Sequence, residues 1–172
     1  MAVFAFYTAK GDFVDRAIRL FTWSRFSHVE LVTDGPLRAS NAVISASKRD
    51  GGVREKVITW NPAHWVFVEL PDSATVPPGP YIMTKYYAGR GYDTWGAVAT
   101  VFRFARPHAS KWFCSELMAH SLNFEDAERY TPGAFYAALM GMGGKTVRPE
   151  GQEAMKPREC SSAERPQCWA KR

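Results

Sequence analysis

The chain has 172 residues, 46% hydrophobic and 23% charged, the balance of one globular domain and not of a disordered, collagen-like or coiled-coil chain. No stretch approaches the ~18 uninterrupted apolar residues of a membrane helix. The start, MAVFAFYTAK, has no basic leader region, so it is expected to be a first strand and not a signal peptide, with the chain cytoplasmic on synthesis. The formal net charge is +5, but residues 143–172 hold seven basic and four acidic residues, against fifteen and thirteen in the remainder. The excess is mostly terminal, and nucleic acid is not an expected partner.

In chain order, Val3–Thr8 reads as a strand. Asp12 then caps a helix, with Asp15 three residues on as its capping-box partner. Phe13, Ala17, Leu20 and Phe21 recur at i, i+4, i+7 and i+8, a stripe predicted to face the core. Four strands follow at Ser27–Thr33, Ala42–Ser47, Val53–Trp60 and Trp65–Leu70, turned at Asp34-Gly35-Pro36 and Asp50-Gly51-Gly52. After the Pro-rich break at 77–80 the pattern becomes helical. Asp93 is expected to cap a helix through Trp95, Val98, Ala99 and Phe102; a second helix starts near Ser110 and runs past Leu122; a third starts at Pro132. Trp23, Trp60, Trp65 and Trp95 are expected in the core. From Gly143 the chain turns Gly-, Pro- and charge-rich and poor in large apolar residues, which predicts a loosely packed tail over 143–172. The expectation is thus one α+β domain over 1–142, with a mixed-to-antiparallel sheet packed against helices.

Three cysteines make no disulfide framework, and Cys160 and Cys168 fall in the tail. Cys114 and His120 are six apart, on different helix faces, so no metal is expected, nor any other cofactor. Cys114 falls in the first turn of its predicted helix, where unpaired N–H groups and the helix dipole favour a thiolate. Position alone equally suits a small buried hydrophobe. His28 lies on a strand whose alternation puts Glu30 on the same face, which suits a general base oriented by an acceptor; a structural histidine satisfied by a backbone carbonyl fits the same pattern. His64 in a turn, His108 in a loop and His120 in mid-helix are weaker candidates. Tyr7, at the end of the first strand, is placed to reach a cleft.

The segments SHVELV, SASKRDGGVREKVI, GYDTWG and WFCSEL occur in an order that resembles circularly permuted NlpC/P60-type proteins, papain-like thiol hydrolases whose histidine strand precedes the cysteine helix. The similarity covers about residues 3–140 and is greatest to the YiiX-like branch, whose small members are often encoded by bacteriophages and prophages. It implies a papain-like fold with Cys114 as nucleophile at a helix N-terminus and His28 as base. It also implies a peptide substrate in bacterial peptidoglycan and a virion-associated setting. The lecithin retinol acyltransferase-like branch would imply lipid acyl hydrolysis or transfer instead, and a non-catalytic virion or interaction module is the remaining alternative. The sequence departs from the family at the third member. The strand after His28 has neither a second histidine nor an acid but Val43-Ile-Ser45-Ala. Glu30 is therefore the first choice for that role and Ser45 the second.

Overall fold

Alternating apolar strands and Gly-containing turns fold into one sheet, described by a computed structural model over residues 1–75, 79–92 and 111–150. The elements are β1 (Ala2–Tyr7), α1 (Phe13–Thr22), β2 (His28–Val32), β3 (Ser40–Ser47), β4 (Gly52–Thr59), β5 (Trp65–Leu70), α2 (Pro80–Tyr86), β6 (Gly91–Tyr92), β7 (Lys111–Trp112), α3 (Cys114–Ser121), α4 (Pro132–Gly141) and β8 (Lys145–Val147). The strand order is β7-β6-β4-β3-β2-β1-β5-β8. Every described pairing is antiparallel except β6 with β7. The fold is α+β, an antiparallel sheet packed against several helices.

The period-two alternation makes both faces of the central strands apolar. Phe4, Phe6, Val29, Leu31, Ile44 and Val68 pack with Leu117 and Met118 of α3 and Phe135 and Leu139 of α4. Phe135 meets Phe4 edge-on at 5.3 Å, a preferred aromatic geometry. Val3, Ala5, Val43, Trp60 and Phe67 form a second cluster on the opposite face. Tyr7 pairs with His28, so β1 ends where β2 begins, at the end of the sheet from which α1 departs. Gly52 begins β4 at φ 155°, and a Cβ there would lie 2.0 Å from the Arg90 carbonyl oxygen. Only glycine lets β6 approach so closely.

Several helix signals work as read. Asp12 and Asp15 form the capping box, and Thr131 caps α4 with Pro132 in its first turn. The cysteine helix, however, starts at Cys114 and not near Ser110, because Lys111-Trp112 pairs with β6 and Phe113 is extended. The predicted stripe of α1 is also turned the other way. Phe13 is 84% and Leu20 70% exposed, Phe21 is exposed, and Trp23, expected in the core, is 96% exposed. The inward side belongs to Asp15, which binds Arg49, and to Arg19, which donates to the carbonyls of Thr8, Ala9 and Lys10. These directional polar contacts fix the helix rotation. Trp60 is buried.

The packed body also extends beyond residue 142. Lys145–Val147 pairs with β5, and the Glu150 N–H donates to the Leu37 carbonyl. The expected loose tail therefore does not begin at Gly143. The helix expected from Asp93 through Phe102, and residues 151–172 with Cys160 and Cys168, lie outside the described residues. Among the described residues no helix is long and apolar enough to cross a membrane.

These packing differences predict contrasting substitution effects. Phe135→Ala should lower unfolding free energy by ~3–5 kcal/mol. Phe13→Ser should change it by less than ~0.5 kcal/mol, as at an ordinary surface position. Urea unfolding followed by circular dichroism measures both.

Candidate active site

The site begins with the alternation of β2. His28 and Glu30 share a strand face, and the imidazole Nε2–H donates to Glu30 Oε1 at 2.8 Å. Glu30 is 1% exposed, and a carboxylate so deeply buried requires a partner cation. Arg54 of β4 supplies it bidentately, Nη2 to Oε1 at 2.7 Å and Nη1 to Oε2 at 2.8 Å, the strong planar geometry of arginine with carboxylate. Arg54 also donates from Nε to Asp50 at 2.6 Å, and Lys56 donates to the same oxygen at 2.8 Å. A line of charges thus runs from His28 through Glu30, Arg54 and Asp50 to Lys56.

Ser45 lies beneath this line. It is directly opposite Arg54, and extending the Leu31–Ile44 register by one residue sets it opposite Glu30. Its hydroxyl donates to the Val29 carbonyl at 2.6 Å. Ser45 thus bonds to the sheet and not to His28, and its small side chain leaves the guanidinium room to cross β3. Glu30 is the residue that holds the ring.

Cys114 is the first residue of α3 and is 3% exposed. Next to it, the Phe113 N–H donates to the Glu116 carboxylate at 3.3 Å. The His28 ring is held by Glu30 at Nε2, and the charge of Cys114 acts on it. With Nε2 directed at Glu30, Nδ1 is the ring nitrogen left for another partner. Burial opposes a charge on His28, but the charges of Cys114 and Glu30 and the hydrogen bond to Glu30 overcome it, raising its pKa to about 10. Burial likewise opposes ionisation of Glu30, yet the His28 charge and the Arg54 hydrogen bonds hold it below the ordinary carboxylate range.

A cleft of about 180 Å³ opens beside the pair, lined by Tyr7, His28, Glu30, Arg54 and Trp65, with Ile18 of α1 also in its wall. Cys114 does not line it. The remaining described histidines lie elsewhere: His64 packs edge-on to Tyr7, and His120 bonds to the Tyr87 hydroxyl at 2.9 Å. Asp93 and His108 lie outside the described residues. Among those described, no group of three or more His, Cys, Asp or Glu side chains is placed to hold a metal ion. No protein-family model matches the chain, and no curated protein matches it either.

Arg54 is not among the site residues expected from the sequence. The signal was available: an acid between Val29 and Leu31 on a buried strand needs a cation, and β4 alternation directs Arg54 to one face of a strand two places away. The partner is specified only once the strand order is known.

The network predicts opposite pH dependences. His28 binds its proton more tightly folded than its unfolded value of ~6.5. Its contribution to stability is thus complete below about pH 6.5 and is lost as pH rises toward 10. Glu30, depressed from 4.5, contributes above that pH and loses its contribution as acid protonates it. Histidine side-chain NMR should show His28 protonated past pH 8 and titrating at lower pH in Glu30→Gln. Arg54→Met should cost ~3–5 kcal/mol by depriving a buried carboxylate of its bidentate cation, and adding Glu30→Gln should recover part of that loss in urea unfolding.

Proposed function

We propose that this chain is a cysteine-dependent hydrolase of amide bonds, with Cys114 as nucleophile, His28 as base and Glu30 as the residue that orients and charges the base. The observation that carries the reading is one imidazole hydrogen-bonded to Glu30, its proton affinity raised by the charge of a cysteine at the start of a helix. In this mechanism His28 takes the thiol proton and the sulfur attacks the substrate carbonyl. First-turn N–H groups of α3 supply donors for the oxyanion. The tetrahedral species collapses to an acyl-thioester as the leaving amine takes the proton from His28. Water, deprotonated by His28, then hydrolyses the thioester to a carboxylic acid and regenerates the thiol. Cys114 is buried outside the cleft wall, so substrate binding must uncover the sulfur.

The resemblance to permuted NlpC/P60-type proteins supports a papain-like classification and a peptide of bacterial peptidoglycan as substrate. It also supports a phage or prophage origin with virion association. A second reading, a non-catalytic interaction module, is favoured by the burial of Cys114.

Incubation with purified peptidoglycan, followed by assay of newly released amino groups, tests the proposal. Turnover is expected, with Cys114→Ala abolishing it and Glu30→Gln reducing it by about 10²-fold or more, while Ser45→Ala does less. Cleavage of short-chain esters with peptidoglycan left intact would move the assignment to lipid acyl chemistry. No turnover of either, with Cys114 inert to iodoacetamide, would establish the interaction module.

A further inference from the structure

Among the described residues, the outward face of α1 gathers several exposed large apolar side chains. Phe13 and Leu20 lie on one side of the helix and Trp23 follows at its end, all three strongly exposed. Arg16 is on the flank of the same stripe. It is exposed, with no ion pair among the described residues, because Asp12 and Asp15 are engaged by Arg49. Lys10, before the helix, is likewise exposed, and Arg25, after it, has Phe26 beneath its guanidinium in place of a carboxylate. The backbone adds an independent observation. Trp23 ends the helix at φ 50°, ψ 35°, with its N–H bonded to the Arg19 and Leu20 carbonyls. A bulky residue in the left-handed region is a true outlier, and glycine or asparagine is usual at such a cap. Here the strained position projects an indole into solvent.

We propose that α1 is an interfacial docking helix, which seats Phe13, Leu20 and Trp23 in an anionic lipid surface with Arg16, Lys10 and Arg25 against the headgroups. Aromatic and leucine side chains bordered by unpaired cations are the composition that partitions into such an interface. A second copy of the chain fits less well. A symmetric contact would set Arg16 near its own equivalent, and a helix about 15 Å long falls short of the ~800 Å² per partner of a stable protein interface. Because α1 also borders the cleft, docking would hold that opening close to the surface. The inference does not depend on the chemistry at Cys114.

Co-sedimentation of the full chain with vesicles of mixed phosphatidylglycerol and phosphatidylcholine, against phosphatidylcholine alone, tests it. Binding is expected to the anionic vesicles and to fall with added salt. The triple variant Phe13→Ser/Leu20→Ser/Trp23→Ser should weaken it at least about tenfold, and Arg16→Glu alone about fivefold or more. Residues 143–172 keep their charges in every variant, so the loss maps to α1, and an unchanged urea midpoint for Arg16→Glu verifies its fold. The proposal is overturned if the unaltered chain ignores anionic vesicles or if the triple variant binds equally well. It is also overturned if sedimentation without lipid shows a dimer that the triple variant dissolves, which assigns the face to a second copy.

Discussion

A carboxylate closed off from water governs this end of the sheet. Glu30 sits on a central strand with almost no exposure, and burying its charge is tolerable only with several donors directed at it. Arg54 provides two and His28 a third. The requirement reaches beyond the carboxylate. It demands a small residue at position 45, so that the guanidinium can pass over β3. It also demands an anion beyond Arg54, which Asp50 provides from the turn before β4. Glycine at 52, in that same stretch, lets the β6 backbone approach. The hairpin from Ser45 to Arg54 is therefore both architecture and electrostatic support.

The same reasoning explains why α1 exposes its apolar stripe. An amphipathic helix normally turns its apolar side inward because burial of that side is its main stabilisation. In this chain the helix is tied by Arg49 to its own capping acids and by Arg19 to the carbonyls that precede it. Charge-assisted bonds of this kind are directional and hydrophobic contact is not. The rotation that satisfies them leaves Phe13 and Leu20 in solvent and places Ile18 along the cleft.

Sequence alone made much of this legible. Strand alternation, the acid pair at 12 and 15 and the Pro132 helix start depend on neighbours in the chain, and local physics suffices for them. The His28–Glu30 contact was readable for the same reason, since period two fixes i and i+2 on one face. What failed depends on contacts distant in sequence. Arg54 meets Glu30 only because β3 lies between their strands, and β8 joins the sheet only because β5 offers a free edge. The rotation of α1 turns on Arg49, 34 residues beyond Asp15. Periodicity reports that a helix is two-sided; it does not report which side the rest of the chain will cover.

The charge arrangement also bears on how one imidazole would serve two opposite steps of the proposed mechanism. Arg54 neutralises part of Glu30, which stays ionised and supports the ring without serving as a final proton acceptor. The largest influence raising the proton affinity of His28 is the charge at Cys114, ahead of Glu30. In the proposed mechanism that charge arises when His28 takes the thiol proton. When the sulfur bonds to the substrate carbonyl, its negative charge moves to an oxygen near the α3 N–H groups and disappears as the thioester forms. Attack on the carbonyl thus removes the influence that made His28 a strong base, and the imidazolium becomes more acidic as the amine must be protonated. Glu30 remains throughout, holding the ring in place while its basicity changes. A fixed anion on Nε2 and a transient one at Cys114 thus divide orientation from proton transfer.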